Sequence, residues 1–239
     1  MTLYIGTSGW AYKEWKPGFY PEKTPQARYL QHYASVLGAC EINNTFYRRP
    51  PDTTVQKWAS ETPESFRFAV KGHRMMTYLK VLKPTPERRS MIEDFYNACE
   101  LLGPRLGPLL LQVPKYHSRD DAGLSALADA LPPTARAAFE LIDPSWDDPE
   151  VAGSLAERGH TICLTERESK VPVELPPGDF VYMRLRGEGY EEPERRKLHE
   201  LLTAEAADRD VYVFTKHKGG APDDPSIGIG LAVWLSSLR

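Results

Sequence analysis

The chain has 239 residues, of which 41% are hydrophobic, 26% charged and 10% aromatic, and its formal net charge is −3. This composition is typical of a globular protein, and the acidic balance argues against a protein whose main role is to coat nucleic acid. A chain of this length can form one large domain, so we predict a single domain over residues 1–239.

The first residues, MTLYIG, lack the basic and apolar regions of a signal peptide, and apolar runs such as residues 109–111 are too short to cross a membrane. The three cysteines, Cys40, Cys99 and Cys163, are widely spaced within apolar patterns. This spacing favours buried, reduced thiols over a disulfide or a zinc site. We therefore expect a cytoplasmic protein that does not bind membranes.

Eight short runs have the composition of β-strands. In chain order they are LYIGTSG (3–9), ACEINNTF (39–46), FRFAVKG (66–72), LGPLLLQVP (106–114), ARAAFELID (135–143), TICLTER (161–167), FVYMRLRG (180–187) and VYVFTKHK (211–218).

Apolar residues at helical spacing lie between most of these runs. They predict helices around residues 29–37, 54–59, 91–102, 124–131, 151–156, 198–202 and 231–238. Residues 168–179 contain three prolines and are predicted to form a loop. The order of elements predicts an α/β fold, a closed (β/α)8 TIM barrel. An open doubly wound sheet would be expected to carry a GxGxxG turn after its first strand, and the turn here, GTSGW, lacks that spacing.

Side chains alternate between the two faces of a strand, so the apolar residues that face the helices indicate which neighbours point into the barrel. The predicted inward polar groups, each late in its strand, are Glu41, Asn43, Lys71, Gln112, Glu140 and Arg184. In TIM barrels this end of the strands carries the chemistry. The same charges could instead form a structural network in which they neutralise each other. The polar and aromatic residues of the adjoining loops favour a functional site.

Several segments resemble the domain-of-unknown-function 72 family, also called YecE-like: GTSGWAYKEW (6–15), EINNTFYRRP (41–50), FRFAVKG (66–72), FELIDPSW (139–146) and YMRLRGEGY (182–190). The resemblance extends over essentially the whole chain. It implies a TIM barrel with a pocket, but it does not indicate a particular reaction. The family pattern falls on Gly6, Thr7, Ser8, Gly9, Trp10, Tyr12, Trp15, Tyr20, Pro21, Glu41, Asn43, Thr45, Phe46, Tyr47, Lys71, Gln112, Pro114, Glu140, Pro144, Ser145, Trp146, Arg184 and Gly187.

Four positions depart from the family pattern. Ile142 and Asp143 stand where many relatives carry an Arg-His pair, and Tyr78 and Arg186 stand where histidines are common. Any mechanism that needs those imidazoles as ligands or bases is therefore in doubt for this chain.

The inward set favours acid-base chemistry. We predict Glu41 and Glu140 as a carboxylate pair with Lys71 between them, and these three as the catalytic residues. A Schiff base on Lys71 or a nucleophilic Ser8 is less favoured. We predict no metal and no organic cofactor, because the candidate ligands lack metal-binding spacing and Lys71 and Arg184 would repel a cation. The candidate ligands considered are Glu41, His73, His117, Glu140, Asp143, Glu166 and His217.

Basic residues gather in the loops that follow the strands, namely Arg48, Arg49, Arg74, Lys115, Arg167, Arg186, Lys216 and Lys218. Such a rim on an acidic chain indicates an anionic ligand, which we expect near Ser8, Arg184, Arg186 and the turn at Gly219–Gly220. Acids such as Glu188 and Asp223 in the same loops could cancel the charge. The predicted substrate-binding residues are Ser8, Trp10, Tyr12, Asn43, Tyr47, Gln112, Trp146, Arg184 and Arg186.

The leading hypothesis is an enzyme that acts on a small anionic substrate containing a phosphate or a sugar. An alternative is a nucleic-acid hydrolase or DNA-binding protein that resembles endonuclease IV. It is less favoured, because the basic positions are dispersed among acids and do not form a track. A third alternative is a non-catalytic ligand-binding barrel. The patterns give no indication of the oligomeric state.

Overall fold

The computed structural model describes residues 1–166 and 171–238. Eight parallel strands form a closed barrel in chain order, and β8 pairs with β1 to complete it. The strands are β1 (Leu3–Ser8), β2 (Ala39–Ile42), β3 (Arg67–Lys71), β4 (Leu106–Val113), β5 (Ala137–Leu141), β6 (Thr161–Thr165), β7 (Phe180–Leu185) and β8 (Asp210–Thr215). The prediction of a TIM barrel is confirmed.

Helices follow all the strands except β6 in the described residues. They are α1 (Tyr29–Val36), α2 (Asp52–Ser60), α3 (Pro86–Glu100), α4 (Asp121–Ala128), α5 (Pro149–Ala156), α6 (Glu192–Glu205) and α7 (Gly228–Ser237). Residues 171–179 form neither helix nor strand, as the prolines predict, whereas 168–170 and Arg167 lie outside the described residues. Within those same residues, no helix has both the length and the apolar character that a membrane crossing needs.

Most strands are shorter than the sequence predicts. The second strand ends at Ile42, and residues 44–46 form a 3-10 turn that leads towards α2. A strand continues only while its neighbours supply ladder partners, and the pairing of β2 with β3 stops at Ile42 and Val70. The polar residues that follow each strand therefore lie on turns at the mouth of the barrel.

Large and small side chains complement each other inside the barrel. Aromatic residues on β1, β7 and β8 face alanines on β2, β3 and β5, and Tyr4 stacks on Tyr212 with ring centroids 4.9 Å apart. This filling follows the interior packing of small barrels. It fills the lower part of the barrel interior, and the polar inward residues lie above it, at the C-terminal ends of the strands. The buried interior residues are Tyr4, Ala39, Ala69, Leu110, Ala138, Cys163, Phe180, Tyr182, Tyr212 and Phe214.

A second apolar layer lies between the barrel and its helices. Outward residues such as Phe68, Leu111 and Phe139 belong to it, together with the apolar faces of the helices. The three cysteines are buried and unpaired, as predicted.

Candidate active site at the C-terminal end of the barrel

Glu41 lies at the centre of a buried polar network. Its side chain is fully buried, and its Oε1 accepts hydrogen bonds from Ser8 Oγ at 2.7 Å and Asn43 Nδ2 at 2.9 Å. Tyr182 donates its hydroxyl to Oε2 at 2.8 Å. Two guanidinium groups complete the shell, since Arg184 Nη2 lies 3.1 Å and Arg186 Nη2 3.3 Å from Oε1. Both oxygens of this carboxylate are thus occupied by groups of the protein.

Arg184 joins the two predicted carboxylates. Its Nη1 lies 2.8 Å from both oxygens of Glu140, while its Nη2 contacts Glu41. The prediction that Lys71 lies between the carboxylates is therefore wrong. Strand alternation places the side chains of Lys71 and Arg184 inside the barrel. The space between the carboxylates on β2 and β5 is occupied by Arg184, which extends from β7.

Lys71 lies beside this network with mostly neutral partners. Its Nζ donates to Gln112 Oε1 at 2.9 Å and lies 4.5 Å from the centroid of the Phe46 ring. Burial and the charge of Arg184 lower the pKa of Lys71, although Glu140 and Glu41 act in the opposite direction. Lys71 as a whole residue is half-buried.

Glu140 connects Lys71 to the network. Gln112, whose Oε1 accepts from Lys71, donates its Nε2 to Glu140 Oε2 at 2.6 Å, and Thr165 Oγ1 donates to Glu140 Oε1 at 3.0 Å. Glu140, Thr165 and Glu166 also line a cavity of about 430 Å³ over the ends of β5 and β6. Glu140 therefore borders space that a ligand could enter, which Glu41 does not.

Other predicted binding residues lie in different surroundings. Ser8 and Arg184 are buried and occupied by the network, whereas the Arg186 side chain is 24% exposed. Tyr12 stacks on His217, with ring centroids 4.6 Å apart, and donates its hydroxyl to Ser8 O. These two rings join the loops after β1 and β8 beside the network.

The two predicted tryptophans do not join the network. Trp10 packs edge-on against Trp58 and Phe68 in the layer between the barrel and its helices. Trp146 is 2% exposed within the same layer and donates its indole N–H to His117 O at 2.8 Å. Tyr47, in contrast, is 70% exposed at the mouth.

Sequence reasoning missed three members of the site. Thr165 faces inward on β6, where the alternation that was applied to five other strands would have found it. Tyr78 donates its hydroxyl to Gln112 Oε1 at 2.8 Å from the segment after β3, and no local pattern predicts that reach. The sequence indicates Glu166 only as a candidate metal ligand, yet its Oε2 accepts the backbone N–H of Arg186 at 2.5 Å. Burial raises the pKa of Glu166.

No group of three or more His, Cys, Asp or Glu side chains is arranged to hold a metal ion within residues 1–166 and 171–238. The carboxylates that converge at the site, Glu41 and Glu140, are instead bound to guanidinium groups.

The charge of Glu41 should make the protein sensitive to acid. Burial alone would raise its pKa, but Arg184 and Arg186, with the hydrogen bonds from Ser8 and Asn43, hold it well below the usual range. A carboxylate with a lowered folded-state pKa stabilises the protein above its unfolded-state pKa, about 4.3, and that contribution is lost as the pH falls further. We therefore expect the free energy of unfolding to decrease once the pH is lower than about 4.

Urea denaturation between pH 7 and pH 2.5, on the natural chain and on Glu41→Gln, measures this effect. Glu41→Gln should be less stable at pH 7, and the two stabilities should converge as the pH falls. A constant difference between the two curves would contradict the assignment, because other carboxylates contribute equally to both.

Comparisons with known proteins agree with the architecture. A solved structure of a DUF72 family protein from Thermotoga maritima MSB8 superposes with a TM-score of 0.78 at 23% identity, covering 100% of this chain and 99% of that one. A D-psicose 3-epimerase from Clostridium cellulolyticum H10, solved with D-tagatose, has a TM-score of 0.54 at 10% identity, covering 100% and 90% of the two chains. At these identities both likenesses concern the fold alone.

The UPF0759 protein YecE of Escherichia coli (strain K12) is 26% identical over 146 residues, which are 60% of this chain and 50% of YecE. The chain thus spans about half the length of that curated relative. The family model described as "Protein of unknown function DUF72" matches residues 4–225. This match extends from the first strand to beyond the last, and the chain therefore belongs to the DUF72 family.

Proposed function

We propose that the protein is an enzyme that acts on a small anionic substrate, containing a phosphate or a sugar, at the C-terminal end of the barrel. Lys71 is the group that transfers the proton. The observation that carries this proposal is the surroundings of Lys71, a half-buried residue with a lowered pKa whose amine contacts Gln112 and the Phe46 ring. A lysine with a lowered pKa is better suited to general acid-base catalysis than an ordinary one.

The two carboxylates take different roles. Glu140 borders the cavity and is joined to Lys71 through Gln112, so it can orient a substrate or exchange a proton with it. Glu41 is fully buried and acts as a positioning residue that holds Arg184 and Arg186. A charge that is enclosed and paired in this way is fixed before the substrate arrives, as electrostatic preorganisation requires.

The charge of the site favours an anion. Lys71, Arg184 and Arg186 contribute +3 when protonated, and Glu41 and Glu140 contribute −2; Glu166, whose pKa is raised by burial, cancels the remaining +1 only when it is ionised. Arg186 is the more exposed of the two arginines and can offer part of its guanidinium to a ligand. Sugars are included among the candidate substrates because the epimerase of similar fold was solved with D-tagatose.

Calorimetric titration with inorganic phosphate, fructose 6-phosphate and neutral fructose, at low and moderate salt, tests the proposal. We expect the two anions to bind more tightly than fructose, with affinity falling as salt rises. Incubation in D2O then tests proton transfer, since abstraction next to a carbonyl introduces deuterium that NMR detects. If sugar phosphates bind but none of them takes up deuterium, a non-catalytic ligand-binding barrel is favoured. If no anion binds at low salt, the proposal is refuted.

A further inference from the structure

Four aromatic side chains form a continuous series from Lys71 to the outer surface, which we call the aromatic ladder (Phe46, Tyr47, Tyr78 and Tyr116). Phe46, which Lys71 contacts, lies edge-on to Tyr47 and Tyr78, with ring centroids 5.2 and 5.0 Å apart. Tyr78 in turn lies 6.4 Å from Tyr116. The ladder thus joins the segments after β2, β3 and β4 along one side of the site.

The outer end of the ladder is exposed. Tyr47 is 70% and Tyr116 62% exposed, and Met75, between them in chain order, is 39% exposed. Single exposed apolar residues are common, but exposed rings that belong to one connected series of contacts indicate a surface that a ligand or partner covers. The structural core does not need the rings of Tyr47 and Tyr116, since each of them stands mostly in solvent.

Three basic residues accompany the exposed rings, which we call the rim cations (Arg48, Arg74 and Lys115). Each is exposed and adjacent in the chain to Tyr47, Met75 or Tyr116. None of the three makes an ion pair within the described residues, whereas surface arginines such as Arg49, Arg158 and Arg196 do. Arg48 and Arg74 therefore flank the exposed rings without an ion pair among the described residues, while Lys115 lies close enough to Asp143 to help lower the pKa of that carboxyl group.

We infer that the aromatic ladder and the rim cations bind a nucleoside phosphate, whose planar base stacks on one of the two exposed rings, Tyr47 or Tyr116. Exposed tyrosines beside cations can bind both the base and the phosphate of such a ligand, because bases stack on aromatic rings and phosphates pair with Arg and Lys. Inorganic phosphate lacks the ring, and a sugar phosphate lacks the planar base. This inference rests on the proposed function and defines the substrate class of the same site.

The binding of AMP, ribose 5-phosphate and inorganic phosphate to the full chain, measured by calorimetry, tests the inference. We expect AMP to bind about tenfold more tightly than ribose 5-phosphate, the increment that stacking of one base supplies. The double substitution Tyr47→Ala with Tyr116→Ala should remove that advantage and leave the affinity for ribose 5-phosphate unchanged. Val36→Ala, at an exposed apolar position on α1, is the matched control and should change neither affinity.

Equal affinities for AMP and ribose 5-phosphate would overturn the inference and leave the proposed function standing. The inference also fails if the double substitution lowers the affinity for both ligands equally, or for neither. If no anion binds, both proposals fail. Titration with a trinucleotide distinguishes a free nucleotide from a nucleic-acid strand as the ligand. Tighter binding than that of AMP, with a steeper salt dependence, indicates a single strand, and equal binding indicates a free nucleotide.

Discussion

Replacing Arg184 by Met should lower the free energy of unfolding by about 3–5 kcal/mol, the usual cost of removing one partner from a buried ion pair. Arg184 is 8% exposed and is the direct link between Glu41 and Glu140. Without it, Glu41 keeps one guanidinium partner, Arg186, and Glu140 loses the guanidinium that it contacts. Urea denaturation at pH 7 measures the loss.

The matched control is Arg196→Met. Arg196 pairs with Glu192 on the surface of α6, where both side chains are about 60% exposed, so its replacement should cost less than about 0.5 kcal/mol. The Arg184→Met deficit should also shrink as the pH falls, because protonated carboxylates no longer need a cation. A loss similar to that of Arg196→Met would contradict the network described above.

Replacing Lys71 by Met should reduce turnover by about 10²- to 10⁴-fold, the usual contribution of a general acid or base, without lowering stability. The folded state lowers the pKa of Lys71, so a protonated Lys71 destabilises the protein below its unfolded-state pKa of about 10.4. Met keeps the contact with Phe46 and removes the charge. Gln112 Oε1 keeps its hydrogen bond from Tyr78.

Thermal unfolding and turnover of the same preparation separate the two roles of Lys71. We expect an unchanged or higher midpoint temperature for Lys71→Met, together with the loss of turnover. Lys71→Arg is the matched control, because it keeps a positive charge that does not titrate and should bind anions without restoring proton transfer. A drop in stability that accounts for the lost activity would instead make Lys71 a structural residue.

Strand alternation predicted much of the site because it depends only on local geometry. Glu41, Lys71, Gln112, Glu140 and Arg184 are each on the inner face that their apolar neighbours imply. Alternation determines the face of a side chain, but it does not determine which group the side chain reaches across the barrel. For that reason the contact of Arg184 with both carboxylates, and the separation of Lys71 from them, could not be read from the sequence.

Residues beyond the strand ends were harder to predict. Trp10 follows Gly9, whose positive φ of 87° turns the chain, and its ring packs against Trp58 outside the barrel. Trp146 lies in a 3-10 turn over residues 144–146 and packs in the same layer. Once the regular period of the strand is lost, proximity to a strand end no longer indicates the direction of a side chain.

We propose that the protein holds Lys71 as an amine ready to exchange a proton, and direct titration of its Nζ tests this role. In a sample with isotopically labelled lysine, NMR can follow each side-chain signal with pH, and the signal absent from Lys71→Met identifies Lys71. We predict a pKa for Lys71 below the ordinary lysine value of about 10.4, and a rise when phosphate binds beside the amine. A Lys71 pKa equal to or above the ordinary lysine value would contradict the account.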